Sequence, residues 1–192
     1  MAVFTLQGFN RGQSVSKTGA VEENMKEIHE WLLKMAGDKA LFISVRFGVP
    51  PETKDELCRH CGIIFARWFR VLVGRSWYRS HNRRIVIVGF QENGYARNMH
   101  AHFIVGLRQD ITPERAIQTL KSLSDRLKID VWDSEQDKEQ NPKRYGNDIM
   151  VKTIYSEGAF SYSTKEMVFV GRRITNDTLI LDVDLFNRGR RK

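Results

Sequence analysis

Two histidines, a glutamate, a tyrosine and a lysine are the residues of this chain whose types and spacing could do chemistry together. His100 and His102 lie two apart in Glu92-Asn-Gly-Tyr-Ala-Arg-Asn-Met-His100-Ala-His102-Phe-Ile-Val, at the start of a β-rich run. Residues two apart on a strand project to the same face, so both imidazoles would enter one space. A hairpin centred on Ala96 would put Glu92 directly across from His100, with Cβ atoms about 5 Å apart. Two imidazoles and a carboxylate suit a divalent cation and leave coordination positions open for phosphate oxygens. A register slipped by one residue would offer Gln91 instead. A bare His-x-His is also met as two ordinary strand histidines. What favours a metal is the apolar strand around them, where polar groups without partners are costly, and the acid expected opposite.

The other chemical constellation is Phe160-Ser-Tyr162-Ser-Thr-Lys165-Glu. On a helix Tyr162 and Lys165, at i and i+3, share a face. A phenol, with an ordinary pKa of about 10, needs assistance to attack phosphorus. A nearby ammonium can favour the phenolate or hold the scissile phosphate, and a metal can polarise that phosphate and stabilise the leaving oxygen. Tyr-x-x-Lys alone is a common accident of surface helices; the two constellations together are far more specific. Tyr155, seven residues before Tyr162, is a strand or core residue that stays open as a participant.

These residues need a sheet to hold them, and the pattern supplies one. Ala40 to Phe47, Arg84 to Glu92, Met99 to Leu107, Ile149 to Tyr155 and Thr178 to Phe186 all read as strands, with Asn93-Gly94 marking the hairpin between the second and third. Val21, Met25, Ile28, Leu32 and Met35 fall on one stripe and predict a helix over 19–36. A second helix follows Pro50-Pro51, with Leu57, Cys61, Ile64, Trp68 and Leu72 on one face. Thr112-Pro113-Glu114 starts a third, whose buried face is Ala116, Ile117, Leu120, Leu123 and Leu127. Asp133 to Asp148 reads as a polar loop, and the segment from Ala159 to Met167 as a short helix. Strands joined by hairpins and mixed with helices predict an α+β fold, an antiparallel sheet covered by helices.

Composition narrows the partner. Thirty-one Lys and Arg against 23 Asp and Glu leave a net charge of +8, with a pI near 9.7. Arg67, Arg70, Arg75, Arg79, Arg83 and Arg84 interleave with Trp68, Trp77 and Tyr78, and a basic tail closes residues 187–192. Guanidinium groups fork onto phosphates and aromatic rings stack on unpaired bases, so nucleic acid is the favoured partner. No apolar run approaches the roughly 20 residues of a membrane helix, and Met1 to Gln7 lacks a signal-peptide pattern, so a cytoplasmic setting is expected, or a nuclear one in a eukaryotic host. Cys58-Arg-His-Cys61 invites zinc, but one Cys-x-x-Cys without a second pair, near an apolar helix stripe, argues against it. His29, His60 and His81 read as surface or packing residues, and Asp182 and Asp184 as solvent-facing residues of a late strand. Gly94 with His100-x-His102 also opens a cupin-type metal motif, yet Gly106, Leu107 and Arg108 follow where that motif needs a Glu and then a Gly.

In order and spacing, Glu92, His100-Ala-His102, Tyr162 and Lys165 resemble the HUH endonucleases, and among them the rolling-circle replication initiators (Rep proteins) with a single catalytic tyrosine. Leu41 to Phe47 looks like the family's first, loosely defined motif. The resemblance covers about residues 40–170 of what reads as a single domain, 1–192. It implies a roughly five-stranded antiparallel sheet with helices, in a topology shared with RRM modules. It implies Mg²⁺ or Mn²⁺ held by Glu92, His100 and His102. Tyr162 would be the nucleophile, forming a 5′-phosphotyrosine on single-stranded or hairpin origin DNA, with Lys165 orienting phosphate or tyrosine. No Gly-x-x-x-x-Gly-Lys-Ser/Thr occurs in the sequence, so unwinding and synthesis are expected from a host helicase and polymerase. A transposase or relaxase would share the chemistry, although relaxases carry a third histidine where Glu92 stands. A non-catalytic RRM-like module would instead use Phe42, Phe90 and Phe103 as an exposed RNA-stacking platform.

Overall fold

Alternation in Ala40–Arg46 makes strand β1, with Leu41, Ile43 and Val45 fully buried on one face. A computed structural model describes residues 39–75, 77, 85–93, 99–154 and 179–186, together with Glu30 and Lys34, both helical. The remainder of the helix expected over 19–36 lies outside the described residues, as do Tyr155, the Tyr162–Lys165 segment and the basic tail.

Helix α1 (Lys54–Leu72) begins where Thr53 Oγ1 accepts the Glu56 N–H at 3.2 Å, and Asp55 and Glu56 favour its positive N-terminal end. It ends at Gly74, whose φ of +100° is the left-handed conformation that glycine enters without a steric cost. Its expected apolar face is buried in full: Leu57, Cys61, Ile64, Trp68 and Leu72, with Phe65 and Phe69 beside them. Strands β2 (Val86–Asn93) and β3 (Met99–Gly106) form the hairpin. Helix α2 (Pro113–Lys121) has Thr112 as cap and Pro113 in its first turn, as expected. The helix does not run on to Leu127. It stops at Lys121, and a single turn α3 (Ser124–Leu127) follows, closed by Lys128 at φ +55°.

Two further elements depart from the sequence expectation. Ile129–Trp132 is a short strand, β4, and helix α4 (Glu135–Gln140) stands in the expected polar loop, capped by Ser134. After β5 (Asn147–Ile154), the expected strand Thr178–Phe186 is strand only at β6 (Leu179–Leu181). The Asp184 carboxylate accepts the Leu181 N–H at 2.7 Å and turns the chain into helix α5 (Asp182–Phe186). Asp184 is exposed, as expected, but on a helix.

The strands form one six-stranded sheet in the order β4-β5-β1-β3-β2-β6. The five strands from β5 to β6 pair antiparallel, and β4 adds a parallel edge on β5. One face of the sheet carries Leu41, Ile43, Val45, Ala101, Phe103, Val105, Ile149 and Val151 into a single core with α1 and α2. Trp68 ties the two helices together by donating its Nε1–H to Ala116 O at 3.0 Å. Gly89 on β2 lies opposite Phe103, and the aromatic ring occupies the space that a Cβ would need. Phe103 thereby packs edge-on against Phe65, with ring centroids 4.8 Å apart.

Candidate metal centre

The β2–β3 hairpin places the candidate ligands through its register alone. Glu92 is paired with His100, Gln91 with Ala101 and Phe90 with His102. Directly paired residues point to the same side, so Glu92, His100 and His102 share the face away from the helices, while Ala101 and Phe103 alternate into the core. Gln91 belongs to the other set, which leaves Glu92 as the third group.

The three side chains meet. His102 Nε2 lies 3.0 Å and His100 Nε2 3.3 Å from the same Glu92 oxygen, Oε2. The two rings stand edge to face, with centroids 4.9 Å apart at 81°. His102 is buried, while His100 and Glu92 are half-buried and reach solvent. The hydrogen bond from His102 holds the Glu92 carboxyl below its ordinary pKa, with His100 adding to the effect and burial opposing it. The carboxylate is therefore the ionised partner of the group.

One potential ligand atom from each residue lies within 4.8 Å of the others, and among the described residues this is the one group of three or more His, Cys, Asp or Glu so arranged. Its donor chemistry and spacing fit a divalent cation. Ligands about 2.1 Å from an ion and at right angles to one another are about 3.0 Å apart. The two nitrogen–oxygen separations are of that size. Two imidazoles and a carboxylate on one side of an ion leave its other side open.

Strand β1 supplies neighbours that the sequence pattern left unconnected to the site. Phe42 stacks on the His102 ring, with centroids 5.4 Å apart and planes at 11°. Ser44 is the direct cross-strand partner of His102, and its buried hydroxyl has no hydrogen-bond partner among the described residues. The signal was present in the two-residue alternation of Leu41 to Phe47, but it needed the β1–β3 pairing to be used. Phe42, Phe90 and Phe103 do not form one platform: Phe103 is on the core face, and Phe90 is buried.

The other candidates separate cleanly. Cys58 and Cys61 are buried on the core side of α1. Burial, reinforced by Cys58, pushes the Cys61 thiol well above its ordinary pKa, which disfavours the thiolate a metal requires. Trp68 is fully buried and Trp77 packs edge-on against Phe69 and Phe186. Among the described residues, Arg67 and Arg70 are thus on the exposed side of an amphipathic helix, and the rings of Trp68 and Trp77 pack against other rings of the protein. His60 is half-buried on α1, 4.0 Å from Glu56. Comparisons with models of protein families, with curated proteins and with solved structures return no match for this chain. No helix among the described residues is long and apolar enough to cross a membrane.

Proposed function

We propose that this protein is a metal-dependent endonuclease of the HUH type, which nicks single-stranded DNA through Tyr162 and initiates rolling-circle replication. The observation that carries the reading is the convergence of His100 Nε2 and His102 Nε2 on Glu92 Oε2 at 3.3 and 3.0 Å, on one face of a β-hairpin. The antiparallel order of five strands, with both histidines on β3 next to β1, agrees with the fold that the resemblance implies. A basic chain with net charge +8 suits a polyanionic substrate.

Glu92, His100 and His102 would hold Mn²⁺ or Mg²⁺, which when bound supplies Lewis-acid polarisation of the scissile phosphate. The imidazole nitrogens favour Mn²⁺ over Mg²⁺, the harder ion that prefers oxygen. Tyr162 attacks in line. The bond from its phenolic oxygen to phosphorus forms as the bond to the 3′ oxygen breaks, the phenolic proton is released, and the leaving oxygen is protonated to a free 3′ hydroxyl. Lys165 lowers the cost of the phenolate or holds the phosphate. Because the phosphotyrosine retains the energy of the diester, the reverse attack by a 3′ hydroxyl rejoins ends without ATP.

The test is a nicking assay on labelled single-stranded oligonucleotides with Mn²⁺ or EDTA, comparing the parent protein with Tyr162→Phe. A covalent adduct that requires the metal and disappears in Tyr162→Phe is the expected result. Adducts that persist in Tyr162→Phe would move the nucleophile to Tyr155. Tight binding with no adduct under any divalent metal would sink the enzymatic reading in favour of a binding module.

A further inference from the structure

The arginines of α1 stand on the opposite side of the domain from Glu92, His100 and His102. The helix covers the core face of the sheet, where Phe65 meets Phe103, whereas the histidines alternate to the other face. Arg59, Ile63, Arg67, Arg70 and Val71 form the exposed ridge of α1, and exposed Arg75 continues it past the helix end. From Arg59 to Arg70 the ridge runs about 16 Å at the helical rise of about 1.5 Å per residue. Arg59 is engaged by Glu56 at 3.3 Å, but Arg67, Arg70 and Arg75 have no ion pair among the described residues.

The charge is segregated in the sequence as well. Between Leu57 and Gln91 there is no aspartate or glutamate, while Arg59, Arg67, Arg70, Arg75, Arg79, Arg83 and Arg84 all fall in that stretch. A ridge rich in charge of one sign attracts a polyanion and releases counterions on binding it. Its remaining character decides which polyanion. Single strands are held by stacking bases on exposed aromatic rings. Among the described residues the ridge offers none: Phe65, Trp68 and Phe69 are fully buried, and the exposed apolar residues of the helix are the aliphatic Ile63 and Val71. A surface of guanidinium forks without aromatic rings suits the phosphate backbone.

We infer that the α1 ridge, through Arg67, Arg70 and Arg75, holds the phosphate backbone of duplex DNA without sequence preference, on a surface separate from the nicking site. The choice of DNA rests on the nickase proposal, whereas the duplex geometry and the separate location rest on the ridge itself. The arrangement would let the protein sit on double-stranded DNA beside an exposed single strand.

The test measures binding of the full chain to a labelled blunt duplex of mixed sequence and to a single-stranded oligonucleotide, in EDTA, across a salt series. The variant is Arg67→Gln/Arg70→Gln/Arg75→Gln, all three together. The expected result is at least a tenfold weaker duplex Kd at moderate salt for the triple variant. Its slope of log K against log salt should be shallower by about 0.9 for each phosphate that the variant no longer neutralises. Single-strand binding of the triple variant should be unchanged. Duplex binding that is absent in the parent protein, or equal in parent and triple variant, would overturn the inference. Equal weakening on duplex and single strand would overturn it too, by assigning the ridge to the nicked strand. Because no metal is present, a failed nicking assay leaves this test intact, and its own failure leaves the nickase reading intact.

Discussion

Two of the three-residue charge clusters among the described residues are built in opposite senses. In one, the Lys121 ammonium sits between two carboxylates, 2.8 Å from Asp133 Oδ2 and 2.7 Å from Asp137 Oδ2. In the other, a single carboxylate oxygen of Glu92 sits between two imidazoles. The first cluster brings its own cation. Asp137 also accepts the Asp133 N–H at 3.1 Å and the Asn141 amide at 2.8 Å, so the group is closed by bonds within the chain. It joins the end of α2 to α4 beside edge strand β4. The second cluster consists of groups that become three ligands once the ring nitrogens present lone pairs, and it opens to solvent through Glu92 and His100. A cluster complete in itself reads as structure; one whose donors converge on a space for a cation reads as a site.

The strongest way to break the comparison is to delete one member of each cluster and ask which property falls. Glu92→Ala should weaken Mn²⁺ binding by more than about 100-fold, beyond the 10- to 100-fold typical of losing a mere supporting residue. The fold should be little affected, because Glu92 is half-buried near the hairpin end and its removal takes away no core packing. Isothermal titration with Mn²⁺ and thermal denaturation of the same sample separate the two effects. An unchanged Mn²⁺ affinity, or parent protein that binds no Mn²⁺, would show the second cluster to be as self-contained as the first.

The register behind that prediction was legible because a hairpin of fixed loop length leaves few choices, and a one-residue slip would have turned every apolar residue of β3 to the wrong face. The apolar face of α1 was legible for a similar reason, since Leu57 through Leu72 repeat at helical spacing within a helix of 19 residues. What escaped was short or decided from afar. Strand β4 has four residues, one of them Asp130, whose buried carboxylate is accepted into the fold only because it binds the Arg144 and Tyr145 N–H groups at 2.9 and 2.8 Å. Helix α4 buries no residue, so there was no apolar period to find; its sign was the Ser134 cap. The strand expected over 178–186 failed at Asp184, because a local hydrogen bond to Leu181 N outweighed the alternating pattern. The tryptophans of the basic stretch misled because an arginine–aromatic alternation looks alike whether the rings face bases or a core.

Lys121→Met should reverse the outcome of Glu92→Ala: stability falls and Mn²⁺ affinity does not change. The substitution leaves Asp133 and Asp137 facing one another without their shared ammonium. Charge-assisted hydrogen bonds of this kind contribute about 1.5–3 kcal/mol when buried, and partial exposure to solvent reduces that to about 1 kcal/mol here. The pH dependence carries the signature. Burial raises the pKa of the Asp137 carboxyl, but Lys121, the Asp133 N–H and Asn141 outweigh it and leave the group below its ordinary value. Its contribution is present above the unfolded carboxylate pKa and is lost as pH falls through the lower, folded value. Burial lowers the Lys121 pKa, and the two aspartates more than reverse this. That contribution is present below the unfolded lysine pKa and is lost as pH rises through the higher, folded value. Urea denaturation should therefore show the gap between parent and variant constant over the middle range and closing at both extremes. A gap independent of pH would mean that packing of the lysine stem, not its charge, holds the cluster.

The finest distinction concerns what orients the rings of the second cluster. His102 is buried between strands, and Phe42 lies parallel to its ring at 5.4 Å. Stacking between rings contributes about 0.5–1.5 kcal/mol beyond the area buried, and a factor of ten in affinity corresponds to about 1.4 kcal/mol. If that stacking fixes the plane of the imidazole, Phe42→Leu should weaken Mn²⁺ binding by about two- to tenfold while leaving Glu92 and His100 in place. Phe42→Tyr, which keeps the ring, should restore it. A structural role alone would lower stability in Phe42→Leu without moving the Mn²⁺ titration, and the comparison of both variants in one titration series separates the two. Strand β1 would then be part of the site through a ring that never touches the ion. The cation cluster at Lys121 is held by hydrogen bonds to its own members; the ligand cluster at His102 would be held in part by the Phe42 ring of a neighbouring strand.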